Sequence, residues 1–245
     1  MKPLAGQTAL ITGAVRRIGR ATALELSQLG AAIVINARSS REEAEAVQQE
    51  IQAAGGRAIV CLGDIRDEVF VAHMIDQTIA EFGCLDILVN NASIRADSEF
   101  LTLSLAEWKD VTSIILDGAF VCAKAALPHM LKTGAGRIVN VGGVSAHIGA
   151  ANRAHVVSAK AGLVGLTRAL ACEFSPRGVT VNCVVPGKIG GKRSATSGKG
   201  IDAAPITPEE GSVEDVAHMI AHLCLPASRY ITGQSLHVSG GMFMP

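Results

Sequence analysis

Thr12-Gly13-Ala14-Val15-Arg16-Arg17-Ile18-Gly19 is the stretch that decides the fold. It joins a short apolar run, Thr8 to Thr12, to a helical pattern running from Ile18 to Leu29. Gly13 permits a tight turn, and Gly19 lets the helix pack closely against the strand. The amides exposed at the helix start can hold a pyrophosphate. A glycine-rich turn alone is common in proteins. Its place between a strand and a helix is what gives it weight.

The same alternation continues outward along the chain. Apolar runs at Ala32 to Asn36, Ala58 to Leu62, Asp86 to Val89, Arg137 to Val141, Val179 to Val185 and Ser235 to Val238 read as strands. Between them fall helical patterns at Arg41 to Ala54, Asp67 to Phe82, Leu105 to Leu116, Ala119 to Leu131, Val156 to Phe174 and Val213 to Leu223. Strands that are apolar throughout, each followed by a helix, imply a parallel sheet covered on both faces. Right-handed crossovers make this one doubly wound parallel sheet of the Rossmann type, α/β in class. No repeat or second domain interrupts residues 1 to 245, so the chain reads as a single nucleotide-binding domain. The segment Lys188 to Glu210, rich in Gly, Ser, Lys and Pro, breaks the rhythm. It follows the sixth strand at the carboxyl edge of the sheet and reads as a substrate loop or lid.

Composition bounds the function. Of 245 residues, 49% are hydrophobic and 18% charged, a globular balance rather than a disordered one. Only eight residues are aromatic (six Phe, Trp108 and Tyr230), so the core must be aliphatic. The formal charge is zero and no basic block is present, which leaves no electrostatic footprint for nucleic acid or an anionic membrane. No apolar run reads as long enough to span a bilayer. The chain opens Met-Lys-Pro-Leu-Ala-Gly and passes at once into a strand, so no leader is expected. The six cysteines are scattered without a Cys-x-x-Cys pair, as reduced thiols of a cytoplasmic protein would be. The seven histidines show no metal-ligand spacing, and no metal is expected.

Charge near the turn selects a cofactor. The second strand ends Asn36-Ala37-Arg38-Ser39, with no carboxylate to hold a ribose 2′-hydroxyl. Arg16 and Arg17 lie in the turn itself. Guanidinium groups suit a 2′-phosphate, where a carboxylate would repel it, so NADP(H) is expected.

Together these residues resemble the short-chain dehydrogenase/reductase family over the whole chain. The glycine-rich turn matches its first motif, with Arg17 at the central glycine as in the pteridine-reductase-like branch. Gly63-Asp64-Ile65 resembles the adenine-contacting segment, and Asn90-Asn91-Ala92-Ser93 resembles an Asn-Asn-Ala-Gly motif. Pro186-Gly187, with Ile189 just beyond, resembles the segment that approaches the nicotinamide. Ile231-Thr232-Gly233-Gln234 and Gly240-Gly241 resemble the C-terminal signature. The resemblance implies cofactor contacts from Gly13, Arg16, Arg17, Ile18, Gly19, Arg38, Ser39, Asp64, Ile65, Asn91, Ala92, Lys160, Pro186, Gly187 and Ile189. It also implies a homodimer or homotetramer, paired through the helices between Leu105 and Phe174.

The same resemblance exposes a loss. The family's Asn-Ser-Tyr-Lys set places the asparagine at Ile115, the serine at Gly143, the tyrosine at Val156 and the lysine at Lys160. In the family the tyrosine protonates the carbonyl, the lysine lowers its pKa and binds ribose, the serine holds the substrate oxygen and the asparagine supports a relay water. Here only the lysine remains. The threonine that usually follows the Pro-Gly segment falls on Gly191. General acid catalysis is worth about 10²–10⁴-fold, so the substitution is not conservative. Four side chains are candidates for the missing chemistry: Lys160, His155 beside the lost tyrosine, His147 in the loop after the fifth strand, and Ser145 two residues beyond Gly143. One helical step turns a side chain by about 100°, which aims His155 away from the nicotinamide. Arg95 and Arg153 can face one cavity and suit an anionic small-molecule substrate. Two functions follow. One is an oxidoreductase moving a hydride between NADP(H) and a small carbonyl or alcohol with a non-standard acid. The other is a catalytically silent NADP(H)-binding or scaffold protein.

Overall fold

The computed structural model describes residues 2–191 and 203–245. Seven parallel strands form one sheet in the order β3-β2-β1-β4-β5-β6-β7. They are β1 (Thr8–Thr12), β2 (Ala32–Ala37), β3 (Ala58–Leu62), β4 (Ile87–Asn90), β5 (Arg137–Val141), β6 (Thr180–Pro186) and β7 (Ser235–Val238). The order reverses between β1 and β4, which opens a crevice at the carboxyl ends of the strands, where doubly wound folds bind ligands.

Residues within a strand divide strictly by period two. Ala9 and Ile11 of β1, with Ile33 and Ile35 of β2, face one core. Leu10 and Val34 face the other. Helices α1 (Arg17–Gln28), α2 (Arg41–Ala53) and α8 (Val213–Cys224) cover the first face. Helices α3 (Glu68–Phe82), α5 (Gly118–Thr133) and α7 (Ala154–Phe174) cover the second. Both cores are almost wholly aliphatic, as the scarcity of aromatics requires.

Helix starts follow local chemistry. Asp67 caps α3 by accepting from the amides of Val69 and Phe70. Ser104 and Glu107 form a capping box on α4 (Leu105–Thr112), and Ser212 with Asp215 forms another on α8. No side chain caps α1, which leaves its first-turn amides to the crevice.

Two elements differ from the sequence reading. The helices expected at Leu105 to Leu116 and Ala119 to Leu131 form one run, Leu105–Thr133, joined by a π-helical turn at Ser113–Asp117. Gly118 is not a break there. A Cβ on it would stand 2.5 Å from Ile65 Cδ1, so the glycine serves a close helix-to-loop contact. The joined run is long and apolar enough to span a bilayer by length and composition, contrary to the expectation from its separate halves. More than half of its most apolar window is buried inside the domain, as in a core helix. A short helix, α6 (Ser145–Ile148), also fills the loop after β5.

Candidate functional site

Gly13 lies at φ +63°, the left-handed region that the turn requires. Gly19 packs so tightly that a Cβ would meet the Gly13 carbonyl oxygen at 2.3 Å. The turn is braced from β4. Asn91 donates its side-chain amide to the carbonyls of Thr12 and Gly13, both at 2.9 Å, while the Thr12 hydroxyl accepts from the backbone amides of Asn91 and Ala92. Asn91 thus holds the glycine turn as well as facing the groove.

That groove has a volume of about 830 Å³. Gly13, Arg16, Arg17 and Ile18 line it from the turn, and Arg38 and Ser39 from the end of β2. Ile65, Asn91 and Ala92 close its far wall. Uncapped amides and a close-approach glycine fit the pyrophosphate of a nicotinamide dinucleotide, and Arg38 stands at the β2 end. Asp64 does not line the groove. It is held by Arg66 (2.6 Å), which also grips Asp110 (2.8 Å). That hydrogen bond holds the Asp64 carboxyl below its ordinary pKa.

The two turn arginines part company. Arg16 stays on the β2 side, bridging Glu43 at 3.0 Å and Ser40 at 3.3 Å. Arg17, at φ +49°, turns the opposite way and donates from Nη2 to the carbonyls of Ile189 and Gly190, each at 3.1 Å. Ile189 follows β6, on the far side of β1 from β2. Both arginines line the groove, and strand order sends the two guanidinium groups to opposite sides of β1.

A second cavity of about 120 Å³ adjoins the groove and shares Ile18, Asn91, Ser93 and Arg95 with it. Its other walls include Gly143, Ser145, Val156 and Lys160, with Arg153, Lys188, Pro186, Gly187 and Ile189. Four of these residues are cations and, among the described residues, none is a carboxylate. Arg153 is clamped to Asp97 at 2.6 Å, and Lys188 pairs with Glu210 at 3.0 Å. The ends of the Lys188 to Glu210 loop are tied together by Gly190 donating to Gly211 at 2.8 Å and by Gly211 donating to Lys188 at 3.2 Å. Residues 192–202, the middle of the expected lid, lie outside the described residues.

Lys160 is 6% exposed, and its Nζ donates to the Val141 carbonyl at 2.6 Å. Burial lowers its ammonium pKa to about 8, with the Arg95 charge acting the same way and the Cys183 thiol opposing it. Ser145 is also 6% exposed and opens the one-turn α6.

The two histidine candidates lie elsewhere. His155 is 1% exposed and lines neither cavity. It lies near the charges of Glu107, Asp97 and Arg153, and burial lowers its pKa. His147 packs edge-on against His237, centroids 4.5 Å apart, and against Phe243 at 5.1 Å. Burial lowers its pKa too. Sequence reasoning missed Asp97, the partner of Arg153 from 56 residues away. No local pattern links the two. It also missed the lining roles of Ser93 and Lys188, although both fall inside segments it had singled out.

A strand order reversing at a glycine-braced crevice, with a buried lysine beside it, defines the class, and the comparisons agree. The chain belongs to the short-chain dehydrogenase/reductase family of oxidoreductases; the profile described as "Enoyl-(Acyl carrier protein) reductase" matches residues 13–243. A 3-oxoacyl-[acyl-carrier-protein] reductase of Synechocystis is 40% identical over the full length of both chains. The FabG reductase of that name from Staphylococcus aureus is 38% identical over 97% of this chain and 98% of its own. Among solved structures, a dehydrogenase/reductase from Sinorhizobium meliloti superposes with a TM-score of 0.91 at 34% identity, covering 98% of this chain and 96% of its own. A putative gluconate dehydrogenase from Agrobacterium tumefaciens gives 0.90 at 31% identity, with the same coverages.

Proposed function

We propose that this chain is an NADP(H)-dependent oxidoreductase that interconverts the carbonyl and alcohol forms of a small anionic compound. The observation that carries the reading is Lys160: a buried amine in a cationic cavity that opens onto the dinucleotide groove. The reductases and dehydrogenases among its relatives support the reaction class. Arg38 and Ser39 at the β2 end, with Arg16 nearby, support the phosphorylated cofactor.

When bound, the reduced cofactor carries the hydride that the carbonyl carbon receives. The residues of the chain supply the rest. Arg95 and Arg153 orient the anionic end of the substrate. The Lys160 ammonium gives its proton to the carbonyl oxygen, the C=O π bond becomes an O–H bond, and the amine is reprotonated from solvent. With a pKa near 8, Lys160 is charged at neutral pH yet close enough to deprotonation to act as an acid. His147 and His155 have no part in this scheme. The six free cysteines are consistent with a cytoplasmic location. Exposed Phe120 and Leu105 on the Leu105–Thr133 run support pairing of subunits through that face.

The test is purified protein with NADPH and a panel of keto acids beside their methyl esters. Oxidation of NADPH by the acids and not the esters supports the reading; no turnover with any member, despite cofactor binding, overturns it. That second outcome would favour a silent NADP(H)-binding or scaffold protein. One observation supports this alternative: the residues at the lost asparagine and tyrosine positions are packed into one apolar cluster.

A further inference from the structure

We infer that the Ser145 hydroxyl holds the substrate carbonyl oxygen in this site, and so replaces a serine absent from position 143. The inference rests on the oxidoreductase reading above and goes beyond it by assigning a residue to the oxygen.

Ser145 is 6% exposed, and among the described residues nothing hydrogen-bonds its Oγ. The Oγ is not sealed in the core, and Ser145 lines a cavity, so a ligand oxygen can reach the hydroxyl. The cavity is the one that Lys160 lines. Gly143 is open on the same side. A Cβ built on Gly143 would meet no atom within 4 Å except Ser145 Oγ, at 3.8 Å. The volume that a side chain at 143 would fill is thus empty and is bordered by the Ser145 hydroxyl.

Backbone hydrogen bonds hold the main chain on either side of Ser145. Gly142 donates to the Val184 carbonyl at 2.8 Å and Val144 to the Pro186 carbonyl at 2.9 Å, which extends the pairing of β5 with β6 beyond the strand. Gly149 donates to the Ser145 carbonyl at 2.9 Å and closes α6 around it. Pro186 and Gly187, which the family resemblance places beside the nicotinamide, line the cavity with Ser145. A donor fixed in advance at the reacting oxygen stabilises the charge that develops there during hydride transfer. A hydroxyl can fill this role because it donates while its oxygen stays free to accept from Lys160.

The test is a set of variants assayed with NADPH and the best keto acid of the panel: Ser145→Ala, Ser145→Thr, and Ser145→Ala combined with Gly143→Ser. Ser145→Ala is expected to lower kcat about 10- to 100-fold with little change in KM and an unchanged melting temperature. Ser145→Thr is expected to keep a tenth or more of the activity. The double variant is expected to regain at least a third of it, because a hydroxyl at 143 reaches the same volume. A purely structural role for Ser145 would not be rescued from position 143. Unchanged kcat in Ser145→Ala, or a loss that neither threonine nor the double variant restores, overturns the assignment while leaving the oxidoreductase reading intact. Inert parent protein overturns both.

Discussion

Ile115, in the π turn between α4 and α5, and Val156, in the first full turn of α7, are packed into one buried apolar cluster with Val111, Ala119, Ala159 and Leu163. Ile115 is 2% exposed and Val156 6%. The two positions where the family resemblance places an amide and a phenol have therefore become mutually supporting hydrocarbon. Val156 also borders the cavity that Lys160 lines, so a change at either position acts on the same cluster.

Restoration should accordingly be coupled. Val156→Tyr alone places a ring where Val156 joins the cluster to the cavity wall, and should destabilise the protein by about 1–3 kcal/mol where the ring overpacks the cluster. Ile115→Asn alone buries an unpaired amide at a cost of about 1–3 kcal/mol. The double variant should be less destabilised than the sum, since the smaller asparagine makes room for the ring and can share its hydrogen bonds. Denaturant melts of the three variants measure this, and strict additivity would show that the residues do not interact.

Arg17 predicts opposite effects on backbone and ligand. Its φ of +49° is costly for a residue with a Cβ, on the order of 1 kcal/mol. Its guanidinium spans the crevice to the carbonyls of Ile189 and Gly190. Arg17→Gly should leave the melting temperature equal or higher, yet speed proteolysis of the Lys188 to Glu210 loop and weaken NADPH binding. Arg17→Ala keeps the strain and loses the tie, so it should be worse on both counts. Limited proteolysis beside cofactor titration separates these effects; a glycine variant with unchanged loop cleavage would show that the tie is unimportant.

Cofactor choice should reside in Arg38. It lines the groove at the end of β2, and its charge helps hold the Asp64 carboxyl down. Loss of one charge-assisted hydrogen bond to a phosphate costs about 1.5–3 kcal/mol, or about 10- to 100-fold in affinity. Arg38→Asp should weaken NADPH by at least that factor while leaving NADH unchanged or tighter. Titration of cofactor fluorescence checks it; equal losses for both cofactors would place the 2′-phosphate elsewhere.

The fold was legible because its strands are short, largely apolar runs alternating with helical patterns, so period and spacing carry the topology. Helix limits were less legible. The sequence reading left a gap between Leu116 and Ala119; Gly118, which lies in it, stays helical and makes room for Ile65, which only the folded chain reveals. In the site, local pattern pointed to the turn glycines and the arginines near them, while Lys160 and the rest of the groove came from the family resemblance. The direction of Arg17 could not be read from either, since it depends on which strand lies on which side of β1. Nor could the Arg153–Asp97 clamp, which joins two loops through space. His155 was aimed off the cavity by helical rotation alone. The place of His147 depends on β7 and the C-terminal Phe243, far along the chain.

Lys160 ties activity and stability to pH with opposite signs. Its folded pKa of about 8 lies below the ordinary 10.5, so protonation favours the unfolded chain. The penalty is fully present below about pH 8 and fades as pH rises toward 10.5, where the lysine is neutral in both states. A shift of that size corresponds to roughly 3 kcal/mol, offset by about 1 kcal/mol for the hydrogen bond to Val141. Lys160→Met should therefore melt higher than the parent at pH 7, and the difference should shrink as pH approaches 10.5. In the proposed reaction the same group sets the rate. As proton donor in the reductive direction Lys160 must be charged, so kcat/KM for reduction should be level below about pH 8 and fall tenfold per unit above it. In the oxidative direction the neutral amine accepts the proton, and the profile should rise through the same pH. Lys160→Met should abolish both limbs. A reductive profile flat to pH 10 would mean that the proton comes from another group, even if the stability difference behaved as described.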